Sequence, residues 1–213
     1  MKDDRRGNSF RSLSLAGGAV RRILEDIAQT HPVMKPIQKI LLGIGAVTGL
    51  ILLLPLFKSP EFRVERSRVI AASRDRIFPW FNDHRKFDEF NPWLKMDPGA
   101  KVDYTGPESG VGAVCSWDGK EVGAGSATIV ESEPNQRVVL RMEWKRPIEG
   151  VSTVEYCFQP EGDGTRVTWS MYGENGYAGK LMSLFMNCDE MCGKEFDKGL
   201  ASVDQLVTAP TQP

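Results

Sequence analysis

The stretch YAGKLMSLFMNCDEMCGKEFDKGLASVDQL, residues 177–206, decides the fold. From Tyr177 the apolar residues Leu181, Leu184, Phe185, Cys188, Met191, Cys192, Phe196, Leu200, Val203 and Leu206 recur every three or four positions. Lys180, Glu190, Lys194, Asp197, Lys198 and Asp204 fall on the other side. This spacing predicts one long amphipathic helix, and its apolar stripe needs a surface to lie on. The preceding sequence supplies one. RVVLRMEW, residues 137–144, alternates Val138, Leu140, Met142 and Trp144 with Arg137, Val139, Arg141 and Glu143, the period of a half-buried strand. VEYCF turns Val154, Tyr156 and Phe158 inward, RVTWSMY does the same with Val167, Trp169 and Met171, and PEGDGT joins the two as a hairpin. FRVERSRVIAA, KVDYT, AVCSWDG and SATIVESEP bring the expected strands to about seven. The turns between them are mostly too short for parallel crossovers, so the order suits an antiparallel meander.

Between the first two strands, SRDRIFPWFNDHRKFDEF predicts two short helices, one with Ser73 as N-cap and Ile77, Phe78 and Phe81 inward, the other carrying Phe87 and Phe90. His84 stands here among Asn82, Asp83, Asp88 and Glu89. A zinc site needs three or four converging ligands, and nothing in the sequence presents them. The stretch reads instead as a capped helix start, with Asp88 and Glu89 on a solvated face.

With 213 residues, 41% apolar and 26% charged, the chain can bury one sizeable core and still spare a membrane segment. A net charge of -1 without a clustered basic face argues against a nucleic-acid partner. ILLGIGAVTGLILLLPLF, residues 40–57, carries no charge, and an eighteen-residue helix is about 27 Å long, close to the bilayer core. It reads as a transmembrane helix over about residues 37–57, and as an uncleaved anchor, because FKSPEF follows it rather than a small-x-small cleavage site. Residues 1–39 hold eight Lys and Arg against four acids, and SLAGGAVRRILEDIAQ has the spacing of an amphipathic helix, placed either in the lipid headgroup layer or against a partner subunit. The expected layout is a basic arm at 1–36, the membrane helix at 37–57, a folded domain at 60–207 and a frayed tail at 208–213. The basic arm favours a cytoplasmic N-terminus and a domain on the periplasmic side of a bacterial inner membrane. Cys115, Cys157, Cys188 and Cys192 are too few for a disulfide scaffold.

The segments VERSRVI, IFPWFNDHRKFDEFNPW, YTGPESGVGAVCSWDG, ATIVESEPNQRVV, GTRVTWSM and YAGKLMSLFM, in this order, resemble the START-like superfamily, in particular its bacterial polyketide cyclase/dehydrase-type branch. The resemblance implies an α+β helix-grip fold, with a curved antiparallel sheet of about seven strands wrapped around the C-terminal helix and a cavity for an apolar molecule between them. Strand parity and helix phase then give Trp117, Trp144, Tyr156, Trp169, Met171, Leu181, Phe185, Cys188 and Met191 as lining residues. The resemblance puts Phe87, Phe90 and Trp93 at the rim. The competing reading is a solid core made of the same side chains.

No catalytic residue is assigned. Of Tyr104, Asp118, Glu143, Tyr156 and Asp189 only Tyr156 is placed inward, VGAGSA lies in a hairpin rather than before a helix, and no cofactor or metal is expected. The reading that follows is a membrane-anchored binding or carrier module for a lipid, isoprenoid or polyketide-like compound, with the bilayer and the apolar molecule as partners. An accessory subunit docked to other membrane subunits through its N-terminal region is the alternative. A cyclase or dehydratase rests on the resemblance alone.

Overall fold

The computed structural model describes residues 35–209. The chain divides into residues 1–51 and 52–213. The expected basic arm and amphipathic helix lie outside the described residues, except for the last two positions of the arm, and so do residues 210–213 of the tail.

Helix α1, Pro36–Phe57, is long and apolar enough to cross a membrane, and among the described residues it alone is. Its large apolar side chains, such as Leu41, Val47 and Leu50, are exposed. Pro55 is the buried residue of this helix.

A seven-stranded sheet follows: β1 Glu61–Ile70, β2 Lys101–Thr105, β3 Val114–Asp118, β4 Ala124–Glu133, β5 Arg137–Arg146, β6 Gly150–Glu161 and β7 Gly164–Glu174. Its order is β1-β7-β6-β5-β4-β3-β2, antiparallel throughout, so the meander from β2 to β7 is completed by β1 at its far edge. The β6–β7 hairpin turns on Gly162 and Asp163, with Gly162 at φ 55°, a conformation that suits glycine. One row of paired residues runs Phe62, Gly173, Ser152, Met142, Ala127, Cys115 and Tyr104 across the sheet. The row Trp144, Gly125, Trp117 and Val102 lies two residues nearer the end at which β1 begins.

Three short helices bridge β1 and β2, one more than the sequence predicts: α2 Arg74–Asn82, α3 His84–Phe90 and α4 Pro92–Met96. Ser73 is the N-cap of α2, but its backbone carbonyl rather than its hydroxyl accepts from Arg76 and Ile77. Asp83 caps α3 by accepting from the Arg85 amide at 2.9 Å, and Asn91 caps α4 by accepting from Trp93 at 3.1 Å with Pro92 at its first position.

The C-terminal segment departs from the expected continuous helix. Helix α5, Tyr177–Met182, ends at Ser183, and α6, Cys188–Thr208, starts anew at Asn187, whose side chain accepts from the Glu190 amide at 3.3 Å. Asn at an N-cap position competes with helix continuation, and the five-residue link resets the helical phase. The buried stripe of α6 is Gly193, Phe196, Gly199, Leu200, Val203 and Val207; Val207 takes the inward position expected of Leu206, which is exposed.

This stripe grips the sheet through Trp169. The indole is buried and stacks on Phe196 at 4.5 Å and 10° between planes. A β-carbon at Gly199 would come within 2.7 Å of the Trp169 Cζ3 atom, so glycine allows the helix to seat against the ring. Arg66 of β1 adds a polar clasp, donating to the Asp189 carboxylate at 3.1 Å and to its carbonyl at 3.0 Å.

Substituting Gly199→Ala should raise helix propensity yet destabilise the domain by about 1–3 kcal/mol, because the methyl group must displace a clamped indole. A lower thermal midpoint checks this; an unchanged or raised midpoint would show that the ring has room to move.

Candidate functional site

Between α6 and the sheet lies a cavity of about 150 Å³. Its deep end is Tyr156 and Trp169, paired across β6 and β7 with ring centroids 5.2 Å apart. Leu140, Val154 and Met171 form the next layer, followed by Met142 and then by Trp144 and Trp117, whose rings meet edge to face at 5.5 Å. Trp117 has space because Gly125 lies beneath it; a β-carbon there would sit 2.6 Å from its Cζ2 atom. Trp144 is oriented by its indole N–H, which donates to the Ser152 hydroxyl at 2.9 Å. Tyr156 and Trp169 are almost fully buried, whereas Trp117, Met142, Trp144, Met171 and Cys192 are half-buried, so the cavity opens towards the end of the sheet at which β1 begins.

Of the nine expected lining residues, Trp117, Trp144, Tyr156, Trp169 and Met171 border this space. Leu181, Phe185, Cys188 and Met191 do not: Leu181 and Phe185 precede the break at Asn187, and Cys188 and Met191 lie in the first turn of α6, short of Cys192 and Phe196, which do face the space. Phe185 is 72% exposed and Met191 51% exposed. Of the three rim residues, Phe87 and Trp93 border the cavity. Phe90 is buried behind them, its ring 4.7 Å from Phe87 and 5.3 Å from Phe81. Ala127, Leu140, Met142 and Val154 also line the space, as do Cys192 and Phe196. Parity already puts Leu140 and Met142 beside Trp144, and the helical stripe already contains Cys192 and Phe196.

Of the polar lining, the sequence reading supplies only Tyr156. His84 is buried and Asp88 half-buried, and both border the cavity rather than a solvated face. Asp88 accepts from the Tyr104 hydroxyl through a short hydrogen bond and from Asn91 at 3.0 Å, and the Arg85 guanidinium covers the Tyr104 ring at 4.5 Å. His84 Nε2 lies 3.2 Å from the Ala113 carbonyl, which can only accept, so this nitrogen carries the proton. Burial lowers the His84 pKa, outweighing that bond and the nearby Asp88 and Asp83. Burial likewise pushes the Cys115 thiol up to about 12 and the Tyr156 hydroxyl well above its ordinary value. Near pH 7 the imidazole, thiol and phenol are thus uncharged and act as hydrogen-bonding groups on a mostly apolar wall that also carries Asp88 and Asn91. Among the described residues, no three His, Cys, Asp or Glu side chains come together in a way that could hold a metal ion.

The profile of the family described as polyketide cyclase / dehydrase and lipid transport matches residues 61–208. The chain belongs to this family. Its place in the START-like superfamily agrees with three solved structures, which at their low identity show the fold alone. A protein of Chromobacterium violaceum is 16% identical with a TM-score of 0.53, the match covering 70% of this chain and 98% of that one. A protein of Mesorhizobium loti is 15% identical with a TM-score of 0.51, covering 70% and 100%. A norcoclaurine synthase point mutant of Thalictrum flavum, in complex with a transition-state analogue, is 14% identical with a TM-score of 0.51, covering 70% and 96%. No curated protein matches the chain. Members of the polyketide cyclase/dehydrase and lipid transport family share the helix-grip frame in which this cavity is set.

The lowered His84 pKa has a sign that can be tested. Between the unfolded value of about 6.5 and the lower folded value, the unfolded chain binds more protons, so stability is lost as the pH falls through that window. The thermal midpoint of the wild type should fall on going from pH 7.5 to 5.5, and His84→Gln should remove part of that slope. Equal slopes would mean that His84 is not desolvated.

Proposed function

We propose that this protein is a membrane-anchored binding or carrier module for an apolar small molecule, held between the sheet and α6. The observation that carries the reading is the cavity: mostly apolar and aromatic, with a few hydrogen-bonding groups, and open at the end of the sheet where the chain arrives from α1. In this layout residues 1–36 are a basic arm on the cytoplasmic side, 37–57 span the bilayer, 60–207 bind the guest beyond it and 208–213 are a tail. An anchored carrier suits a poorly water-soluble guest because exchange then takes place beside the lipid in which the guest dissolves.

Volume narrows the class. A cavity of about 150 Å³ is below the range of roughly 300–1,000 Å³ common for whole drug-sized ligands, and is close to that of an engineered cavity that takes up benzene. The guest therefore inserts a ring or a branched end past Trp117 and Trp144 while the rest stays at the mouth, or the α6 end lifts to admit more. Met142 and Met171 suit either course, since unbranched thioethers repack at low cost.

The full chain purified in mild detergent should release an apolar compound on organic extraction, detected by mass spectrometry. Ala127→Leu, which adds bulk inside the cavity, should lower the recovered amount and weaken uptake of a fluorescent apolar probe by at least about tenfold, or ~1.4 kcal/mol, with the fold retained. Unchanged uptake in that variant would rule out the cavity as the binding site.

A further inference from the structure

The segment that the helix break removes from the core is itself unusual. After α5, the residues Leu184, Phe185 and Met186 are exposed, Phe185 at 72%, and Tyr177 and Met191 beside them are exposed as well. Three consecutive large apolar side chains turned outward need a partner other than water. Hydrogen bonds tie this segment to the chain as it leaves α1. The Tyr177 hydroxyl donates to the Leu52 carbonyl at 2.7 Å, and the Lys58 ammonium donates to the Ser183 carbonyl at 3.0 Å and to its hydroxyl at 2.7 Å. The Asn175 amide donates to the Pro60 carbonyl at 2.7 Å. Leu52, Leu53, Leu54, Leu56 and Phe57 at this place are exposed too, so the two apolar surfaces are continuous.

We infer that α5 and the link Ser183–Asn187 form a lip that dips into the lipid bilayer, with Leu184, Phe185 and Met186 in the acyl boundary. A tyrosine reaching Leu52 sits at the depth of a residue five positions inside the end of an apolar helix, where aromatic side chains with one polar atom are favoured. Lys58 and Lys180 flank the apolar residues and suit anionic headgroups. The lip also stands at the end of the sheet where the cavity opens, since Glu174, just before α5, pairs with Glu61, the first residue of β1. A guest could thus pass between acyl chains and cavity without crossing bulk water. This inference rests on the proposed membrane crossing by α1.

The test uses the full chain in vesicles of phosphatidylcholine and phosphatidylglycerol, with a diazirine amino acid placed singly at Phe185, at Leu50 in α1, or at Val69. Val69 is exposed and lies eight residues along β1 from Glu61, roughly 27 Å away. Lipid adducts at Phe185 comparable to those at Leu50, and at least about tenfold above those at Val69, are expected for an inserted lip. Lipid adducts at Leu50 with none at Phe185 would overturn the lip while leaving the anchor standing. Protein adducts alone at Phe185 would also overturn it, in favour of a second copy or another subunit. No lipid adduct at either position would overturn lip and anchor together.

Discussion

The flat contact between Trp169 and Phe196 sets the distance between the last helix and the sheet. The indole is buried: Phe196 stacks on it, Phe87 and Trp93 meet it edge on, and Gly199 lets the helix backbone approach its far edge. Aromatic pairs of this kind each add roughly 0.5–1.5 kcal/mol beyond the area they bury. Their larger effect is geometric. Once the helix is fixed at Trp169, residues further along β5, β6 and β7 toward the opening face no helix side chain of comparable bulk. The cavity occupies that gap, with Tyr156 at its floor and Trp144 and Trp117 at its mouth.

Much of this was legible in the chain because strand parity is a rigid rule. Side chains two apart on a strand share a face, so Val138, Leu140, Met142 and Trp144 could be placed together from sequence, and so could Tyr156 with Phe158 or Trp169 with Met171. Helix phase is less secure because a single break resets it. The spacing of Leu181 and Phe185 matches the stripe of Phe196 and Leu200 in the sequence, yet Asn187 caps a new helix between them, and an asparagine's preference for a cap over a helix interior is too weak to read without neighbours. His84 and Asp88 could not be placed for a different reason. Whether a polar residue on a short helix faces water or a cavity depends on how that helix docks, here on the bond from His84 to Ala113, on a loop beyond β2, and on Tyr104 reaching Asp88 from β2.

The two surprises have a common logic. Burial keeps His84, Cys115 and Tyr156 uncharged, which limits the cost of desolvation and leaves an apolar guest with a few hydrogen-bonding partners. The break exposes Leu184 and Phe185 of the expected stripe, with Met186 beside them, at the end of the domain where the chain emerges from its apolar helix. The link after α5 leaves these apolar residues turned outward.

The claim at the centre of this account is that the space beneath α6 is empty of side chains and takes an apolar group. Crystals of the protein pressurised with xenon test it most directly, since dry apolar cavities of this size bind the gas. The account predicts a xenon peak enclosed by Leu140, Met142, Tyr156 and Phe196. Side chains of Trp144 and Met171 folded into that space, or a cluster of ordered water in place of xenon, would contradict it.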